Sequence, residues 1–490
     1  MRAIMIQGTA SDVGKSVLCT ALCRILANDG YRVAPFKSQN MALNSYITKS
    51  GGEIGRAQGV QAEAAKIDAT TDMNPILLKP KGDMVSEVIL HGKHFANMDA
   101  VHYREHFVEE VMPEVRASLA RLSEAYDVLV LEGAGSPAEI NLKARDIANM
   151  RMAHETDAVV ILVADIERGG VFASLVGTLM LLDASERARV KGIIINKFRG
   201  MKELLTSGID WLEDYTGIPV LGVIPYIDIH IEAEDSMALS SLRLKKPLAS
   251  EFDIDVAVIR FPRISNFTDL DPLFDEPGVG VRFVSSLKDL KKPDVLILPG
   301  TKNTVEDFLW LQETGLIQGI LQLQHLDTKI VGICGGYQML GETLRDEEAI
   351  EGSGGTYVAL GLLPIETTFV REKQTVQVQG KTCTGHDITG YEIHLGRSEM
   401  RTSVQPFIEF QNGRTDGVYT KQVMGTYVHG IFQNRVFTRH YFNEIRTLKG
   451  LEPILGEVLS DYDRRDQAYE MLDRHVRKHL NMEKIYELIT

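Results

Sequence analysis

The sequence predicts an α/β protein of two domains, each a mostly parallel β-sheet flanked by helices. Three observations carry this. The chain has 490 residues, more than one hydrophobic core ordinarily serves. Short runs rich in Val, Ile and Leu alternate with stretches of helical period, the pattern of βαβ units. That alternation occurs twice, on either side of a polar stretch near residues 231–252 that has no strong period.

In the first half, buried strands are expected at residues 2–7, 127–132, 158–164, 192–196 and 219–223, each an apolar run bounded by Gly, Pro or Asp. In the second half they are expected at residues 254–260, 280–284, 295–298 and 330–333, with late strands around Val418 and residues 424–428. Ser240-Ser241 and Lys245-Lys246-Pro247 mark a linker. These signals place one domain at residues 1–235, the linker at 236–252, a second domain at 253–450 and a helical tail at 451–490. Tyr469, Leu472, Val476 and Leu480 share one face of that tail, which is expected to pack on the second domain.

Composition narrows the function classes. Hydrophobic residues make up 44% and charged residues 24%, as in a soluble globular protein. No apolar run approaches the roughly 20 residues that span a bilayer. The N-terminal residues enter a strand and a Gly-rich loop at once, leaving no room for a signal peptide. Four cysteines do not make a disulfide framework, so a reducing cytoplasm is expected. A net charge of -14 argues against a nucleic-acid partner, because phosphate backbones reward clustered Lys and Arg.

The segment Gly8-Thr9-Ala10-Ser11-Asp12-Val13-Gly14-Lys15-Ser16 reads as a phosphate-binding loop. Backbone N–H groups of such a turn, with a helix N-terminus, make a pocket for anionic oxygens. Gly8, Thr9, Ser11 and Gly14 would line it, Lys15 would reach the outer phosphates of ATP, and the Ser16 hydroxyl would hold Mg²⁺. A helix over residues 17–27 follows in the right order. Magnesium also needs a carboxylate. Glu132 ends a buried strand, and Asp12 is the alternative. Asn196-Lys197 follows another strand, as a base-recognition motif or a plain surface loop. Cys19 and Cys23 lie one helical turn apart without further ligands nearby, which reads as core packing.

A second constellation lies at Gly332-Ile333-Cys334-Gly335-Gly336, after a strand and before a helix expected over residues 337–344. A nucleophile on such an elbow gains exposure, backbone donors and a thiolate-favouring helix N-terminus. Gly335 and Gly300, the latter in Pro299-Gly300-Thr301, are the expected oxyanion donors. His429, in Tyr427-Val428-His429-Gly430, is the expected base. Cys383 sits in polar surroundings and receives no role.

These residues carry a resemblance. Residues 298–301, 332–336 and 426–430 resemble the flavodoxin-like glutaminase domain of the triad glutamine amidotransferases. The form G-T-x-S-x-x-G-K-S resembles the P-loop of dethiobiotin-synthetase-like ATPases. Longer motifs resemble the cobyric acid synthase family: residues 36–44, 55–58 with 61–65, 73–80, 132–142, 165–174, 299–304 and 390–398. The likeness runs from the N-terminus to about residue 435. It implies glutamine- and ATP-dependent amidation of the b, d, e and g carboxylates of adenosylcobyrinic acid a,c-diamide. It further implies Mg²⁺ with ATP, glutamine as ammonia donor, and a cobalt-containing corrinoid as small-molecule substrate. Lys37, with Gln39 and Asn40 of the same motif, is implicated at the substrate carboxylate and its phosphate. In the wider amidotransferases a Glu two positions past the histidine completes the triad; here that position is Ile431. A Cys334–His429 dyad, oriented by another group, is therefore expected. Two other readings remain: a cobyrinic acid a,c-diamide synthase, and a switching ATPase with a degenerate glutaminase domain.

Overall fold

Parallel strands in the order Val220–Pro225, Val190–Phe198, Val159–Asp165, Arg2–Gly8, Val128–Glu132 and Val33–Phe36 build the main sheet of the first unit. The computed structural model describes residues 2–82, 84–229, 252–352 and 354–489. The linker expected at 236–252 falls almost wholly outside them. Helix Lys15–Asn28 follows the first strand and packs its Leu18, Leu22 and Ile25 on the sheet. Every residue of Val128–Glu132 is buried, as expected of a parallel strand covered on both faces. In the register, Ile6 lies beside Glu132 and Gly8 beside Val163. The phosphate-loop residues, Glu132, Asp165 and Asn196 therefore share the C-terminal edge of one sheet, where open α/β sheets bind ligands.

The second unit repeats the plan with different strands. Val279–Val284, Ile254–Ile259, Val295–Leu298, Lys329–Ile333 and Val423–Thr426 run parallel. An antiparallel extension follows through Thr415–Tyr419 and Pro406–Phe410 to the long hairpin Ile365–Thr382 and Asp387–Met400. Leu298 lies beside Gly332 and Ile333 beside Thr426, so Gly300, Cys334 and His429 all leave the sheet at one edge.

Several expectations need correction. The first unit comprises Met1–Ala42, Gly52–Glu232 and Arg465–Thr490; the second comprises Leu43–Gly51 and Ala233–Arg464. The end of the tail therefore belongs to the first unit, not the second. Its stripe Tyr469, Leu472, Val476 and Leu480 is buried in the same cluster as Leu22 and Ile25. Polar contacts fix the register: Arg24 pairs with Asp466 and Asn28 Nδ2 donates to Asp473 Oδ2 at 2.8 Å. Residues 43–51, read as part of the first domain, belong to the second unit. The elbow helix is shorter than expected, Gly335–Met339, and Thr343–Asp346 is a strand. The chain after it passes close to the neighbouring strand Ile365–Thr382: a Cβ on Gly341 would meet the Ile365 carbonyl oxygen at 2.7 Å. The hairpin strands Ile76–Gly82, Val85–Leu90 and Lys93–Asp99, and the long hairpin of the second unit, had not been foreseen. Their faces are too mixed in polarity to show in an apolar-run reading.

Candidate functional site

The phosphate loop closes on glycine geometry. Gly14 has φ 100°, and a Cβ there would meet the Asn196 Nδ2 at 2.2 Å. A Cβ on Gly8 would lie 2.6 Å from Val13 and 2.8 Å from the Ala10 carbonyl oxygen. The Thr9 N–H donates to Val163 O at 2.9 Å, anchoring the loop to the sheet. Ser11 and Asp12 are exposed at its tip. Lys15 is buried and donates from Nζ to Ala10 O and Gly135 O, both at 3.0 Å. Burial pulls its pKa below the ordinary lysine value, against the attraction of Glu132.

Glu132 is the hub of this cluster. Its carboxylate accepts from Ser16 Oγ at 2.9 Å, from Lys37 Nζ at 3.0 Å and from Gln61 Nε2 at 2.5 Å. Burial alone would push its pKa up. The ion pair with Lys37 and the hydrogen bonds of Lys37, Gln61 and Ser16 outweigh that and hold it below the usual range. An ionised carboxylate beside the Ser16 hydroxyl is a pair of oxygen donors that a divalent cation would fit. Asp12 is arranged otherwise: its carboxylate is exposed and lies 3.6 Å from Arg168. Asn196 and Lys197 brace the loop from behind. Asn196 Nδ2 donates to Val13 O at 2.8 Å, and Lys197 Nζ reaches Asp12 O at 2.5 Å and Asp165 at 3.0 Å. Gln39 accepts from the Tyr103 hydroxyl, and Asn40 Nδ2 donates to Gln58 Oε1 at 3.0 Å. Cys19 and Cys23 are buried in the core, and burial raises both thiols. That is inert packing.

The cysteine elbow uses the opposite device. Cys334 itself adopts φ 52°, ψ -110°, a conformation that costs a non-glycine residue about 1–3 kcal/mol. It is fixed by neighbours that leave no alternative. A Cβ on Gly336 would sit 1.9 Å from the Leu298 carbonyl oxygen, and one on Gly332 2.8 Å from Gly336 O. The Cys334 N–H donates to Thr426 O at 2.8 Å, and Sγ lies 3.5 Å from Ile393 O. Gly300 passes so close to His429 that a Cβ would meet its Cε1 at 2.9 Å. Gly335 packs against Thr301, so the turns at 300–301 and 335 form one wall.

His429 is wholly buried. Its Nδ1 lies 2.7 Å from Asp269 Oδ2, and the other oxygen of Asp269 accepts from the Gly430 N–H at 2.7 Å. Asn266 Nδ2 stands 3.5 Å from Nε2. Burial opposes the charged ring. The Asp269 carboxylate and the hydrogen-bonded Cys334 outweigh it, raising the pKa from 6.5 to about 10. Asp269 and Asn266 escaped the sequence reading. Asn266 caps, and Asp269 lies in, the short 3-10 helix Phe267–Leu270, some 160 residues before the histidine, and no spacing links them to it. An acidic residue between two strands is the one signal the sequence offers.

Models of known families match both halves. Residues 4–239 match the CobQ/CobB/MinD/ParA nucleotide binding domain, and residues 255–437 the CobB/CobQ-like glutamine amidotransferase domain. Whole-chain relatives agree. The cobyric acid synthase of Geobacillus sp. (strain WCH70) is 53% identical over 99% of this chain and 97% of its own. The one from Anoxybacillus flavithermus is 52% identical over 98% and 96%, and that of Streptococcus sanguinis 48% over 100% and 99%. The chain belongs to the cobyric acid synthase family. Within this member, Ile431 stands where the wider amidotransferases carry the triad Glu, and it is buried in the core of the second unit. Asp269 occupies the position beside Nδ1 instead.

Proposed function

We propose that the chain converts adenosylcobyrinic acid a,c-diamide to adenosylcobyric acid, amidating the b, d, e and g carboxylates with ammonia from glutamine and energy from ATP. The contact that carries the reading is His429 held between Asp269 and Cys334, in a chain that also has the Ser16–Glu132–Lys37 cluster. A thiol relay without an ATP site would only hydrolyse glutamine. An ATP site alone would switch or phosphorylate.

In the second unit, His429 accepts the Cys334 thiol proton and Asp269 stabilises the imidazolium so formed. The thiolate attacks the side-chain amide carbon of glutamine. N–H groups at Gly335 and the Gly300 turn face the developing oxyanion. His429 returns the proton to the departing ammonia, then activates water to release glutamate. In the first unit, the loop backbone and Lys15 position ATP, and Lys37 neutralises charge where the substrate carboxylate meets the transferred phosphoryl group. The resulting acyl phosphate is open to attack by ammonia, and catalysis there is mostly positioning and charge compensation. Ser16 and Glu132 would hold Mg²⁺, which when bound supplies charge neutralisation between phosphate oxygens. Glu132 fits this role through its contact with Ser16; Asp12 lies with Arg168. Work in the cytoplasm, without nucleic acid or membrane partners, completes the reading.

The test follows the corrinoid by mass spectrometry in the presence of glutamine and MgATP. Four successive amidations are expected. An unchanged corrinoid with glutamine still hydrolysed would remove the substrate assignment. Amidation of cobyrinic acid at a and c instead would favour the a,c-diamide synthase.

A further inference from the structure

We propose that residues 43–51 are a working part of the glutaminase centre, and that Asn266 is a positioning residue for His429 oriented by the backbone of Ser45. The proposal rests on the Cys334–His429 reading above. The segment belongs to the second unit, whereas the residues before and after it in the chain belong to the first. Its hold on the glutaminase loop is specific. The Ser45 N–H donates to Asn266 Oδ1 at 3.0 Å, and the Phe267 N–H donates to Asn44 Oδ1 at 3.2 Å. Gln377 Nε2 donates to Ile47 O at 2.7 Å, and Ile47 packs with Tyr391 and Ile393.

The first of these contacts decides the chemistry. A backbone N–H can only donate, so the Asn266 atom that faces Ser45 is its oxygen. The amide nitrogen is thereby turned toward His429 Nε2, 3.5 Å away. Asn266 has φ 51°, a left-handed conformation that Asn tolerates better than most residues. A group that only donates favours a lone pair on the nitrogen it faces. On the far side of the ring, Asp269 accepts a hydrogen bond from the Nδ1 proton. Two contacts thus select the tautomer with Nε2 free to accept the thiol proton. Asp269 draws the ring toward its charged form and Asn266 draws it back. The other groups facing the ring are Cys334, the stacked Tyr391 at 5.1 Å between centroids, and His394, whose own titration feels His429.

On either side of the segment the chain is held within the first unit. Ahead of it, Asn40 is bound to Gln58; after it, the Gly55 N–H donates to Asn74 Oδ1 at 2.9 Å. Asn74 in turn donates to the Lys37 carbonyl oxygen at 2.9 Å.

The experiment is the pH profile of glutamine hydrolysis by the full chain, normalised to ammonium-dependent amidation, which does not use the thiol. Asn266→Asp keeps the shape and places a carboxylate beside Nε2. It is expected to move the acid limb of kcat/KM upward by about one pH unit. Asn44→Ala touches no ring atom and leaves Ser45 in the chain. It is expected to move the limb the same way by less, with kcat falling and KM held. Profiles of both variants that superimpose on the wild type, with only the rate reduced, would mean the contacts are structural and would overturn the proposal. Undiminished glutamine hydrolysis by Cys334→Ser would instead remove the reading beneath it.

Discussion

The two sites are built on the same local plan and differ in which residue stands at the turn. Both follow a buried parallel strand, turn sharply at the sheet edge and enter a helix. At the phosphate loop the left-handed position belongs to Gly14, and the proposed phosphate ligands are backbone donors with Lys15 behind them. At the elbow the left-handed position belongs to the proposed nucleophile itself, Cys334. A phosphate needs a cradle, so the turn is made as small as possible. A nucleophile needs to be projected, so strain is accepted at one residue and packing at Gly332 and Gly336 keeps it there. The charges differ in the same way. Glu132 is held as an anion by Lys37, Gln61 and Ser16, and His429 is drawn toward its cationic form by Asp269 and Cys334.

The comparison breaks first at Asp269. Asp269→Asn is expected to lower kcat for glutamine hydrolysis by about 10²–10⁴-fold, through a misdirected ring and the loss of a carboxylate. Amidation with ammonium should persist, and steady-state assays with either nitrogen source check this. Next, Lys15→Ala or Glu132→Ala should reduce amidation by at least about 10²-fold with both nitrogen sources. Loss with glutamine alone would assign these residues to the wrong site.

These first outcomes bear on what the sequence made legible. Motifs whose residues are contiguous could be read because the backbone itself joins the parts: Gly8 to Ser16, and Gly332 to Gly336. Strands buried on both faces could be read because they are apolar throughout. What could not be read depends on distant pairings. Asp269 meets His429 only because Ile254–Ile259 and Val423–Thr426 are strands of one sheet. The tail's apolar face was visible, but its destination was set by Arg24, Asn28 and Glu63, which pair with Asp466, Asp473 and Arg465. Asn196 and Lys197 were visible as a motif, while their bonds to the loop carbonyls needed the register between strands.

Smaller effects sharpen the account. Leu472→Ala, wholly buried in the first unit's core, should cost about 2–5 kcal/mol. Gly336→Ala should cost about 3 kcal/mol or more, since its new methyl meets backbone rather than a movable side chain. Denaturant titration of each variant reads both values. A pH dependence of stability follows as well. The His429 pKa is raised in the fold from 6.5 to about 10. Its stabilisation is therefore complete below about pH 6.5 and fades as pH rises through about 10. The stability gap between wild type and Asp269→Asn should narrow across that window, as equilibrium unfolding at several pH values would show.

The most direct test of the division of labour is the corrinoid product of Cys334→Ser, followed by mass spectrometry with MgATP and either glutamine or ammonium. No amide gain with glutamine and full gain with ammonium is the predicted result. Amide formation by the variant from glutamine, or its failure with ammonium while the protein remains folded, would contradict the separation of thiol and phosphate chemistry on which the account stands.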